Sequence, residues 1–255
     1  MPVSTALVTG ASYGIGEVFC RALAQQDHDL ILVARSRDKL EALAVELRAK
    51  HGRQVAVIPA DLCHPGCGAA LAAAVAAQGL TVDILINNAG SGLVGDFAEQ
   101  APAGDQQMIA LNVSAVVDLA HAFLPDMIKR GHGGIINVAS LAAFQPMAYM
   151  AMYAATKAFV LSFSESLWAE VRDKGVTVTA LCPGPVGAPR KLSRRRGLMP
   201  SPVFVTAEMV VAHALEAFER GRSVAVPGTA NKIVSLFPRL VTRSFMASDS
   251  ARMMG

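Results

Sequence analysis

The chain is predicted to fold as a doubly wound α/β domain, a parallel seven-stranded sheet with helices on both faces. Three observations carry this expectation. Short apolar runs rich in β-branched residues alternate with stretches whose apolar positions recur at three and four residues, almost from end to end. The 255 residues contain no repeat, linker or compositional break, and folds of this kind reach that length undivided. Several apolar runs end on glycine or polar residues, as strands do where they leave a sheet. Alternating strands and helices need right-handed crossovers, and hence a parallel sheet covered on both sides.

The first strand is residues 5–9 (TALVT), which runs into Gly10-Ala11-Ser12-Tyr13-Gly14-Ile15-Gly16 and a helical stretch through Gln26. Glycines there permit a tight turn and close approach of the backbone, and a helix start offers free amides and a favourable dipole to a phosphate. Residues 30–34 (LILVA) make the second strand and 38–50 the next helix. The third strand, 55–59, ends at Asp61-Leu62, and an alanine-rich helix follows at 65–78. The fourth, 83–87, ends in Asn87-Asn88-Ala89-Gly90. One long helix is expected over 105–130, with Asn112 near its middle and Pro125 as a kink. The segment 133–140 (GGIINVAS) reads as a buried strand ending on Ser140, and 152–171 as a long helix. A sixth strand at 176–181 ends at Pro183-Gly184, a helix spans 206–220, and a short last strand covers 223–226. Residues 1–228 are read as one domain and 229–255 as a tail packing on it or on a neighbouring subunit.

Composition narrows the partners. Hydrophobic residues make up 53% of the chain and mean hydropathy is +0.39, but no uninterrupted apolar run reaches the roughly 18 residues of a spanning helix. No transmembrane segment is therefore expected. The N-terminus lacks a basic stretch followed by an apolar one, so no signal peptide is expected and the location is predicted to be cytoplasmic. The four cysteines, Cys20, Cys63, Cys67 and Cys182, are too scattered for a disulfide framework. Cys63-His64-x-x-Cys67 has no second ligand pair at zinc spacing, so no metal is expected. The net charge of +3 does not point to nucleic acid, and the basic run 190–196 lacks interleaved aromatics.

The chemistry gathers around Tyr153 and Lys157. Four residues apart, they share a helix face with side chains roughly 5–6 Å apart at Cβ. A free tyrosine has a pKa of about 10, and bringing it to about 7 takes on the order of 4 kcal/mol, which a neighbouring ammonium can help to supply. Ser140, at a strand end, is placed to hydrogen-bond a carbonyl or alcohol oxygen. In a parallel sheet the loops after successive strands meet at one edge, where ligands bind. Gly10–Gly16, Arg35, Asp61, Asn88–Gly90, Ser140 and Pro183-Gly184 are expected to converge there.

These motifs resemble those of the short-chain dehydrogenase/reductase family in its single-domain, Rossmann-type branch. Its T-G-x-x-x-G-x-G is Thr9 to Gly16, its N-N-A-G is Asn87 to Gly90, and its P-G is Pro183-Gly184. Asn112, Ser140 and the Y-x-x-x-K of Tyr153 to Lys157 match its active-site set, over roughly residues 3 to 226. The resemblance implies that Tyr153 transfers the proton and Ser140 binds the substrate oxygen. Lys157 would lower the tyrosine pKa and bond the nicotinamide ribose, and Asn112 would hold a water. Gly10, Ser12, Tyr13, Gly14, Ile15, Gly16, Ala89 and Gly90 would line the cofactor. Asp61, Leu62 and Asn88 would flank its adenosine half, and Val186 its nicotinamide. Ala188 stands where many members have a threonine that bonds the carboxamide, leaving that task to Ser193 or backbone groups. A homodimer or homotetramer is implied by the resemblance alone.

The end of the second strand reads Ala34-Arg35-Ser36-Arg37, without the acidic residue that selects NAD. A guanidinium there suits a 2′-phosphate, so NADP(H) is the expected cofactor and NAD(H) the second choice. Residues 91–97, 141–152 and those after Pro183 are expected to wall the substrate. The middle segment is methionine-rich and apolar, which favours a hydrophobic carbonyl or alcohol over a sugar. The basic run 190–196 is read as a solvated lid, with an acidic substrate group or an acyl-carrier partner as alternatives. The tail around 230–246 mixes apolar pairs with Lys232, Arg239 and Arg243, reading as a packing segment or a membrane-surface one. The last ten residues are expected to be loose. The rival to an oxidoreductase is a catalytically silent nucleotide sensor or scaffold of the same fold, which would have no need for Asn112, Ser140, Tyr153 and Lys157 together.

Overall fold

The computed structural model describes residues 4–187 and 204–254. Its strands are β1 (Thr5–Thr9), β2 (Asp29–Ala34), β3 (Val55–Pro59), β4 (Ile84–Asn87), β5 (Gly134–Val138), β6 (Thr177–Leu181) and β7 (Val224–Ala225). They form a seven-stranded sheet in the order β3-β2-β1-β4-β5-β6-β7, with every neighbouring pair parallel. β1 has β2 on one side and β4 on the other, so the chain winds away in both directions from that point. The loops leaving β1 and β4 therefore diverge and open a crevice at their carboxyl ends.

The helices are α1 (Gly14–Gln25), α2 (Arg37–His51), α3 (Cys67–Ala76), α4 (Pro102–Ile109), α5 (Ala115–Arg130), α6 (Ala151–Val171), α7 (Ala207–Glu219), α8 (Thr229–Leu236) and α9 (Arg243–Met254). Alternation along the strands divides the core into layers. Ala6 and Val8 of β1 pack with Phe19, Leu23, Leu40 and Val210 on one face. Leu7 packs with Leu71, Leu119, Phe123 and Met127 on the other. Each fully buried Leu or Phe contributes about 1.5–3 kcal/mol of hydrophobic stabilisation. This is what holds the strand ends, and thus the crevice, in fixed register.

Two expectations about helices need correcting. The long helix begins at Pro102, where proline's missing N–H costs nothing, and it is interrupted by a π turn at Ala110–Ser114. Pro125 lies inside α5 on an exposed turn, where the carbonyl that proline leaves unpaired is open to solvent. The whole run, Pro102–Arg130, is long and apolar enough by length and composition to cross a membrane. Here Met108, Leu119, Phe123 and Met127 are buried inside the molecule. The end of the chain is also not loose. α9 continues to Met254, and Met246 and Ser250 are buried. Between α8 and α9 a 3₁₀ turn at Phe237–Arg239 takes up Pro238.

Candidate active site

The crevice is built from the glycine turn after β1 and the Asn88 loop after β4. Thr9 is the joint between them. Its Oγ1 accepts the N–H groups of Asn88 and Ala89, each at 3.0 Å, and donates to the Ile86 carbonyl. Asn88 returns the contact, its Nδ2 donating to the carbonyls of Thr9 (2.9 Å) and Gly10 (3.3 Å). Gly16 must be glycine, because a Cβ there would lie 2.2 Å from the Gly10 carbonyl oxygen and 2.5 Å from Asn88 Nδ2. Gly10, at φ +66°, turns the chain into this tight space. α1 then starts without a side-chain cap on Tyr13, so its first-turn amides face the turn as an anion-binding end. Tyr13 is exposed and Ser12 and Gly14 flank the turn, whereas Ile15 packs against the core.

At the next strand ends, Arg35 and Asp61 are both exposed after β2 and β3. Asp61 is held below the usual carboxylate range by the Cys63 amide that it accepts at 3.0 Å, with the charges of His64 and Arg35 adding to the effect. Leu62 is buried in the core, so only its backbone faces this edge.

The four chemistry-bearing side chains come together beyond β4 and β5. Ser140 caps the 3₁₀ turn Leu141–Phe144, its Oγ accepting the Ala142 N–H. Leu141 N–H bonds the Pro183 carbonyl at 2.8 Å, which draws the end of β6 and Gly184 alongside. Lys157 is 6% exposed. Its Nζ donates to the Val138 carbonyl at 2.7 Å and lies 5.9 Å from the centre of the Tyr153 ring. Burial lowers the Lys157 pKa to about 8. Burial also raises the Tyr153 phenol above its ordinary value, and a hydrogen bond with the Ser140 side chain pulls it partly back. In the protein alone, then, desolvation outweighs the Ser140 hydrogen bond.

Asn112 is held firmly in place. It sits in the π turn, fully buried, and its side chain is already committed. Nδ2 donates to the Ser91 carbonyl (2.9 Å) and to Thr156 Oγ1 (3.1 Å), while Oδ1 accepts the Ser91 N–H (2.9 Å).

The family described as short chain dehydrogenase matches residues 4–197 of this sequence. The chain belongs to the short-chain dehydrogenase family. It is 37% identical over 182 residues to the NADP-dependent 3-hydroxy acid dehydrogenase YdfG of Escherichia coli, covering 71% of this chain and 72% of that one. A short-chain dehydrogenase from Sphingobium yanoikuyae, solved in complex with NADPH, is 35% identical with a TM-score of 0.78, over 98% of this chain and 94% of that one. The bulky-bulky ketone specific alcohol dehydrogenase from Comamonas testosteroni is 32% identical with the same TM-score of 0.78, over 99% and 93%.

Further residues of this short-chain dehydrogenase pack around the site. Gly92 lies against the Tyr153 ring, where a Cβ would come within 2.9 Å of Cδ2. Thr156 Oγ1 donates to the Tyr153 carbonyl at 2.8 Å while accepting from Asn112. Asn87 Nδ2 donates to Asn137 Oδ1, and Asn137 Nδ2 donates to Ser164 Oγ, a buried ladder that ties β4 and β5 to α6. Thr9 and Asn87 carried a local signal, as the first letters of the T-G-x-x-x-G-x-G and N-N-A-G motifs; Gly92, Thr156, Asn137 and Ser164 carried none.

Two of the three expected wall segments meet. Gly95 N–H bonds the carbonyl of Tyr149 at 2.9 Å, and Tyr149 holds φ +60°, a strained conformation for a non-glycine residue. Leu93, Val94 and Phe97 are exposed on the first segment. The third segment is described only through Gly187. There Val186, exposed, forms a parallel bridge with Val205. Ala188, Ser193 and the basic run 190–196 lie outside the described residues.

Proposed function

We propose that the protein is an NADP(H)-dependent oxidoreductase acting between a carbonyl and the corresponding alcohol of a bulky, apolar small molecule. The observation that carries this reading is the pairing of the Ser140 and Tyr153 hydroxyls beside the buried amine of Lys157. When bound, the nicotinamide supplies the hydride to the carbonyl carbon in reduction, or receives it from the alcohol carbon in oxidation. Tyr153 delivers the proton to the carbonyl oxygen in reduction and takes it from the alcohol in oxidation. The Ser140 hydroxyl donates to that oxygen and favours the charge developing on it. Lys157, near 8 in the protein alone, would also hydrogen-bond the nicotinamide ribose, and at neutral pH its amine carries the charge. That charge then favours the Tyr153 phenolate.

The glycine cradle and the uncapped start of α1 fit a pyrophosphate, with Asn88, Ala89 and Gly90 walling its other side. Arg35 is the residue assigned to a 2′-phosphate. The named NADP dependence of the Escherichia coli relative and the NADPH in the Sphingobium structure support that assignment. Apolar Leu93, Val94 and Phe97, with the methionine-rich stretch before α6, favour a hydrophobic substrate. The structural neighbour named for bulky ketones agrees with this choice. We read the protein as cytoplasmic, in keeping with four free cysteines, and as a homo-oligomer joined through the exposed side of α6. There Phe159 stacks on Phe163 at 5.8 Å between ring centres.

The experiment compares kcat/KM over an alkyl-ketone series and matched polyhydroxylated carbonyls, with Tyr153→Phe as control. Each buried methylene should add up to about 0.8 kcal/mol to transition-state binding until the pocket fills. Turnover in Tyr153→Phe should fall roughly 10²–10⁴-fold while NADPH still binds. A flat alkyl series with good activity on a sugar would refute the substrate class. NADH binding tenfold more tightly than NADPH would refute the cofactor.

A further inference from the structure

α8 is built the wrong way round for a helix on the outside of a protein. Its inward side is polar. Asn231 is buried and donates to the Pro227 carbonyl at 2.9 Å, and buried Ser235 donates to the Lys232 carbonyl at 2.8 Å. Its outward side is apolar. Ile233 (66% exposed) and Leu236 on α8 are followed by Phe237 in the 3₁₀ turn and by Leu240 (82% exposed) just after it, all four exposed. Phe245, at the start of α9, is also exposed. A stripe of this kind pointing into water marks an interaction surface.

The charge around the stripe selects what it meets. Lys232, Arg239 and Arg243 are exposed beside it, and no Asp or Glu occurs between Glu219 and Asp249. A second copy of the chain packed face to face here would set the same cations against one another, since a two-fold interface pairs each patch with itself. A surface that is apolar below and anionic above satisfies both features at once. We propose that this face docks the protein on an anionic phospholipid bilayer. Ile233, Leu236, Phe237 and Leu240 enter the acyl boundary, and Lys232, Arg239 and Arg243 lie at the headgroups. α8 would lie in the plane of the membrane surface, as an interfacial helix does, without spanning it. The proposal is independent of the substrate reading, because it concerns binding alone.

The test is co-sedimentation of the full chain with vesicles of phosphatidylcholine alone and of equimolar phosphatidylcholine and phosphatidylserine. The protein should partition onto the phosphatidylserine vesicles, and do so less as salt is raised. The double charge reversal Lys232→Glu with Arg239→Glu should lower partitioning more than tenfold, at roughly fivefold for each basic residue removed. Leu240→Asp should lower it by a similar factor. All three positions are exposed, so circular dichroism should show the fold unchanged. No sedimentation with phosphatidylserine vesicles at low salt would overturn the proposal. So would undiminished binding by both variants, which would assign the contact to another basic segment. A wild-type assembly that Leu240→Asp breaks apart, with no vesicle binding, would show that the stripe is a self-interface and overturn it equally.

Discussion

Lys157 shows how a single residue can be set near its switching point by burial. Its amine loses water on folding and gains one hydrogen bond, to the Val138 carbonyl, so its pKa falls to about 8. The ammonium is therefore present below that pH and lost above it. If the charged form lowers the Tyr153 pKa and so makes it the better acid, kcat/KM for carbonyl reduction should hold steady below pH 8 and decline above it. A profile that rises through pH 8 would mean that the neutral amine is the active form. Gly92 offers a second test at this scale. Its backbone is not left-handed, so Gly92→Ala should fold, but the new Cβ would press on the Tyr153 ring at 2.9 Å. Displacing a catalytic group by about 1 Å costs on the order of 10²-fold. We expect kcat to drop by roughly that factor with NADPH affinity unchanged, as read by fluorescence titration. Tyr153, Lys157, Ser140 and Asn112 were legible because their spacing is local or motif-bound. Gly92 and Thr156 were not, because what they touch is decided by how distant segments pack.

Among the elements, the strands were legible to within a residue or so, since each is an apolar run closed by a turn former. The helices were less so. The π turn at Ala110–Ser114 leaves no mark in hydrophobic spacing, yet it carries Asn112 to the Ser91 backbone and to Thr156. α9 escaped notice because its sequence is short on apolar residues. Its place is fixed by buried Met246 and Ser250 rather than by a stripe. Ser250 Oγ accepts the Ala148 N–H at 3.0 Å, so the end of the chain is fastened to the segment just before α6. Ser250→Ala removes that partner at a cost of about 1 kcal/mol. The Ala148 amide should then exchange with deuterium faster, and KM for a bulky ketone should change more than kcat. Unaltered exchange at Ala148 would show that α9 is held by other contacts.

For the molecule as a whole, the α/β alternation made the architecture readable, including the parallel order and the edge at which the loops gather. Assembly is an expectation from the resemblance alone. The exposed side of α6 carries Phe159 among small residues, and Phe159→Arg should convert a dimer or tetramer to a smaller species in sedimentation velocity. An unchanged sedimentation coefficient would remove α6 from the interface. The joint made by Thr9 and Asn88 has a different kind of consequence. Its hydrogen bonds fix the glycine turn and the Asn88 loop to each other within the polypeptide, before any ligand arrives. Little chain disorder is then left to lose when a dinucleotide enters, so association is limited by diffusion and desolvation rather than by reshaping of the crevice. The same joint makes the crevice unforgiving, since a ligand whose phosphates sit differently meets backbone that has no slack to follow it.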